Sequence, residues 1–230
     1  MNEQKSSLWD VLKFFENRYT YFLATILILF FVHPLLSVEA HAGFPFANLT
    51  FLAVIIAIFW SLQLKPRLFK SCVIFACLTF TADMIHYVRV NILGYPQVTY
   101  FDASIVAVYA AFIFVAILIL MGNLFRNSKV TSDTIRGGIS VYFLIGIFWA
   151  LLYHVFLLID SDALIIPYAD HTFSDLLYYS FTTLTTLGYG DITPLAPFVQ
   201  NLAALEAVVG QLFLTIYVAR LIGLHLANHR

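Results

Sequence analysis

Seven consecutive residues, Thr185-Thr186-Leu187-Gly188-Tyr189-Gly190-Asp191, put two threonine hydroxyls, two glycines around a tyrosine and a carboxylate into one short run. Glycine takes left-handed backbone conformations that a residue with a Cβ resists, so Gly188 and Gly190 allow successive carbonyls to face one way. A stack of carbonyl oxygens can replace the water around a cation. An isolated Gly-Tyr-Gly also fits an ordinary turn, so the elements around the run decide between the two readings. Other chemistry finds no comparable grouping. His33, His41, His154 and His171 are scattered without the spacing of a metal cluster or a nucleophile and its base, so no enzyme activity and no cofactor are expected.

The surroundings are a membrane. Of the 230 residues, 61% are hydrophobic and 11% charged, with mean hydropathy +0.88. Soluble domains carry roughly a quarter charged residues. A span needs about 20 apolar residues, and six segments qualify: 19–36, 48–64, 71–90, 102–125, 139–160 and 198–224. The stretch 172–197 is too short and interrupted to be a seventh. It suits a re-entrant segment, which a bilayer tolerates only where protein or a water-filled cavity shields the backbone. The expected fold is an all-α membrane protein of six transmembrane helices with a re-entrant pore helix and loop.

Basic residues set the orientation. With the amino terminus cytoplasmic, Lys5, Lys13, Arg18, Lys65, Arg67, Lys70, Arg126, Lys129, Arg136 and Arg230 fall inside, and Arg89 falls outside. Glu39, Asp102, Asp160, Asp162, Asp170, Asp175 and Asp191 then lie at or near the outer face, where acids raise the local concentration of cations. The net charge of −1 conceals this asymmetry. Residues 1–18 carry Leu8, Val11, Leu12 and Phe15 at helical spacing and are expected as a cytoplasmic interfacial helix, with no cleavable signal. Cys72 and Cys77 are read as small buried hydrophobes. Both termini are expected in the cytoplasm of a plasma-membrane protein.

The polar linker 126–138 divides a four-helix region, 19–125, from a second unit, 139–224, followed by a short tail, 225–230. In the second unit Thr172 and Asp175 make a capping start for a short helix through Leu184, the glycine run follows, and a last span closes it. This order resembles the pore module of tetrameric potassium channels, and Thr186 to Gly190 resemble that family's selectivity filter. The resemblance implies potassium coordination by the carbonyls of Thr186, Leu187, Gly188 and Tyr189, with the Thr186 hydroxyl and Gly190 completing the filter. It also implies outward packing of Leu187 and Tyr189, and support from Thr182, Thr185 and an Asp191 hydrogen bond to Tyr179. Leu187 stands where the family usually has valine. One loop cannot encircle an ion, so a homotetramer in a lipid bilayer is expected, with no nucleic acid and no cytosolic ligand-binding domain.

In the last span Gly210 follows Gly190 at the spacing where the family often has a hinge glycine, with close helix packing as the alternative. Gln211 and Thr215 are placed to line a cavity, and Glu206, an acid in an apolar span, is expected to brace the rear of the filter. Arg220 is expected to snorkel to the cytoplasmic interface. No arginine ladder exists in 102–125, so steep voltage gating is not expected. Asp83 and His86 are read as a buried polar pair. The function implied is passive, potassium-selective conduction. The alternatives are a regulatory subunit of another channel or, against the single copy of the loop, a secondary transporter.

Overall fold

The computed structural model describes residues 18–38, 56–58, 66–96, 98–126, 130–167 and 172–228. Its helices are α1 (Arg18–Val38), α2 (Pro66–Tyr87) running into a π-helical turn (Val88–Ile92), α3 (Thr99–Arg126), α4 (Ser132–Ile159), α5 (Phe173–Leu184) and α6 (Pro197–Asn228). Two short strands, β1 (Leu164–Ile165) and β2 (Thr193–Pro194), pair antiparallel.

Among the described residues, three helices are long and apolar enough to cross a membrane: Thr99–Arg126, Ser132–Ile159 and Pro197–Ala227. At 1.5 Å per residue the 28 residues of α3 reach about 42 Å, against about 30 Å of hydrocarbon. The chain is therefore a mostly helical membrane protein. These helices contain the expected spans 102–125 and 198–224 and all but the last residue of 139–160. The expected span 19–36 lies in α1, whose described apolar stretch, Tyr19–Ile28, is shorter. Span 71–90 falls in α2 and the π-helical turn. Span 48–64, apart from 56–58, lies outside the described residues, as do 1–17, Glu39, Asp170, His171 and 229–230.

Helix α4 is the spine, packed against α1, α3, α5 and α6. It begins earlier than its apolar pattern indicates, because Thr131 caps it by accepting the Thr134 N–H at 3.1 Å. Such a cap contributes about 1 kcal/mol. The expected linker 126–138 thus contracts, and its polar residues Asp133 and Arg136 form the first turns of α4. Asp133 accepts the Tyr19 N–H at 3.2 Å and Arg136 donates to the Thr20 hydroxyl at 2.8 Å. These bonds clamp the start of α1 beside the start of α4.

One expected pair is rearranged. His86 does not pair with Asp83; its Nδ1 lies 2.7 Å from Asp102 Oδ1 on α3. Spacing along one helix cannot show a partner presented by the next.

Candidate functional site

The site begins at α5, whose first turn is fixed by Asp175: its carboxylate accepts from the Thr172 N–H at 2.7 Å and from the Thr172 hydroxyl at 3.2 Å. A carboxylate near a helix N-terminus also meets the positive end of the helix dipole. Buried Leu176, Leu177, Tyr179, Ser180, Thr182 and Leu184 give the helix its inner face. Gly146 of α4 makes room for it, since a Cβ there would come within 2.6 Å of the Phe181 ring.

At the end of α5 the chain turns into residues 185–191. Thr185 caps the helix, its hydroxyl donating to the Phe181 carbonyl at 2.6 Å. Positive φ then falls at every second residue: Thr186 at 61°, Gly188 at 54° and Gly190 at 79°. Thr186 holds this conformation despite its Cβ, a strain of order 1–3 kcal/mol that its surroundings must offset. Alternating handedness directs successive peptide N–H groups to one side. Here the Leu187 and Gly188 amides both donate to the Thr182 carbonyl, at 2.8 and 3.0 Å. In a trans peptide the carbonyl opposes the N–H, so the carbonyls of Thr186 and Leu187 are directed away from α5. The Thr186 hydroxyl donates to the Thr185 carbonyl at 2.6 Å.

The side chains of Leu187, Tyr189 and Asp191 turn toward α5. Tyr189 stacks on Tyr178 with centroids 6.3 Å apart and planes 6° from parallel. Leu187 and Tyr189 line a lateral cavity of about 440 Å³ together with Phe30, Leu177, Phe181 and Thr185. Within the single chain Leu187 and Tyr189 are 57% and 67% exposed. The expected bond from Asp191 is made by a different tyrosine: Tyr178 donates to Asp191 Oδ2 at 2.8 Å. Tyr179 faces inward and meets the Tyr153 ring at 4.9 Å. Neighbouring helical positions point about 100° apart, so a shift of one residue exchanges the loop face for the core face.

Beyond the loop, Ile192 is buried and the β1–β2 pairing joins Ile165 to Thr193. The Leu195 amide adds a bond to the Ala163 carbonyl at 3.0 Å. This ties the exit of the loop to the segment that follows α4. A two-residue ladder has no periodicity and was not expected from sequence.

Helix α6 supplies the rear wall. Glu206 is fully buried, with Tyr153 Oη 2.6 Å from its Oε2 and Ser180 Oγ 2.5 Å from its Oε1. The sequence indicated Glu206, but neither partner; a buried acid implies hydrogen-bond donors without saying which helices bring them. Gly210 is placed by contact, because a Cβ there would lie 2.2 Å from the Leu184 carbonyl oxygen. Close packing therefore accounts for this glycine, and α6 runs through it as one helix. Gln211 and Thr215 are exposed on α6 within the single chain. Nearer its end, Tyr217 donates to the Thr134 carbonyl at 2.6 Å. Arg220 donates to the Phe125 carbonyl at 2.8 Å and lies 5.0 Å over that ring. Instead of only snorkelling, Arg220 satisfies a carbonyl in the last turn of α3.

Residues 138–224, which include α5, the loop and nearly all of α6, match the model of a family described as ion channel. The match supports an ion-channel domain in this part of the chain. No curated protein and no solved structure matches the chain.

Proposed function

We propose that the chain forms a potassium-selective channel, with four copies closing around one pore and carrying passive flux down the electrochemical gradient. The observation that carries this reading is the loop: positive φ at Thr186, Gly188 and Gly190, with the Leu187 and Gly188 amides turned to Thr182. That geometry favours a column of carbonyls from Thr186 to Tyr189 on the other side, of the kind that can replace the hydration shell of potassium.

A single copy leaves residues 185–191 exposed, and one strand cannot surround an ion. Four identical chains meeting through heterologous contacts would complete the ring. Neighbouring copies would cover Leu187, Tyr189 and the apolar face of α6 that includes Val208 and Leu212. The carboxyl-terminal ends of four α5 helices would then point toward the axis and favour a cation. Gln211 and Thr215 are assigned to the cavity below, and Asp191 to the outer mouth of a plasma-membrane channel with cytoplasmic termini. The layout proposed is six spans and a re-entrant α5 and loop.

The test uses the purified chain in liposomes, with potassium flux measured against sodium and barium as blocker. Wild type should pass potassium and be blocked. Gly188→Ala and Gly190→Ala should each lose selective flux while still inserting, because an L-residue in the left-handed region costs roughly 1–2 kcal/mol. Unchanged selectivity in either variant would contradict the proposal. Silence of the pure chain with activity restored by a second channel protein would favour a regulatory subunit, and saturable coupled uptake a transporter.

A further inference from the structure

The contacts around Glu206 outnumber the protons that its neighbours can supply. Ser180 Oγ is 2.8 Å from the Gly146 carbonyl oxygen and 2.5 Å from Glu206 Oε1, while Tyr153 Oη is 2.6 Å from Glu206 Oε2. The Gly146 carbonyl can only accept, a serine hydroxyl has one proton, and an ionised carboxylate can only accept. If Ser180 donates to Gly146, the contact with Glu206 has no hydrogen unless the carboxyl provides it. If Ser180 donates to an ionised Glu206, its contact with Gly146 becomes two facing acceptors.

The surroundings favour the first arrangement. Glu206 has no exposed surface. The titratable groups facing it are Tyr142 and Tyr153 from α4 and Tyr179 from α5, and no cation acts on it among the described residues. A buried carboxylate without a counter-ion is costly, whereas a neutral acid with each polar atom engaged is not.

We propose that Glu206 is held as a neutral carboxylic acid, its Oε1–H donating to Ser180 Oγ and the Ser180 O–H donating to the Gly146 carbonyl. This proton acts as a positioning element: it joins α6 to α5 and α5 to α4 where Phe181 rides against Gly146. Four residues further along, Leu184 ends α5, and the loop hangs from it. Loss of the proton leaves Ser180 with one hydrogen for two acceptors and loosens the support of the loop. The functional consequence rests on the channel reading; the proton count rests on the contacts alone.

The test combines infrared spectroscopy with flux on the purified protein in lipid. Wild type at neutral pH should show the carbonyl stretch of a protonated carboxylic acid that is missing in Glu206→Gln. Glutamine mimics the neutral acid in size and can donate to Ser180, so its flux should stay within about twofold of wild type, whereas Glu206→Ala should lose roughly tenfold or more. Raising the pH until the wild-type band disappears should lower wild-type flux and leave Glu206→Gln flat relative to it, the tyrosines being common to both. Absence of the band at neutral pH would overturn the assignment. An identical alkaline fall in Glu206→Gln would overturn the positioning role. The band without potassium flux in any variant would instead uphold the proton and refute the channel reading.

Discussion

Gly210→Ala places one methyl group where α6 meets the end of α5. The new Cβ would stand 2.2 Å from the Leu184 carbonyl oxygen and 2.9 Å from Leu184 Cδ1. Ordinary contact needs about 3.5 Å, so one helix must retreat by roughly 1 Å. The obstacle is backbone, which a side-chain rotation cannot relieve. Overpacking of this kind costs about 2 kcal/mol, equivalent to roughly thirtyfold in an equilibrium. Leu184 lies two residues before Thr186, so the displacement is delivered to the loop. The expected result is a lower thermal transition in detergent and a loss of potassium-over-sodium discrimination in liposomes. Gly122→Ala on α3, where a Cβ meets nothing within 4 Å, is the control and should match wild type. A hinge at Gly210 predicts a different outcome, altered opening with thermal stability and selectivity kept. That outcome, or a silent Gly210→Ala, would refute the packing argument.

Other perturbations separate neighbouring residues that sequence treats alike. Tyr178→Phe removes the hydroxyl that bonds Asp191 and should weaken selectivity or speed its decay, whereas Tyr179→Phe should leave the Asp191 contact intact; single-channel recording of the two variants checks the contrast. Gly138→Ala drives a Cβ to 2.0 Å from Tyr217 Cε1 and should lower the thermal transition in the wild-type background, but by much less when added to Tyr217→Ala, which is itself destabilised but has space for the methyl group. Asp175→Ala breaks the capping contact with Thr172 and should cost about 1 kcal/mol, read as earlier thermal unfolding.

Much of this structure was legible as pattern. Long apolar runs marked α3, α4 and α6, because burying a helix in lipid needs length and hydropathy and both are properties of composition. The start of α5 was legible from Thr172 and Asp175, and the left-handed positions at Gly188 and Gly190 from the residue type. Thr186 was not, since a threonine gives no sign of positive φ. What sequence could not provide was contact between helices. Asp191 finds Tyr178 instead of Tyr179, and His86 finds Asp102 instead of Asp83, because a shift of one position or a crossing from the next helix changes the partner without changing the pattern. Glu206 stood out as an acid among apolar residues, yet Ser180 and Tyr153 looked like ordinary members of their helices until the fold brought them together.

Potassium selectivity is read from the reversal potential of the purified chain in a planar bilayer with potassium on one side and sodium on the other. A potassium-selective pore gives a potential close to the potassium equilibrium value, abolished by Gly188→Ala and by Gly190→Ala. A reversal potential near zero, or one that follows the anion gradient, would contradict it.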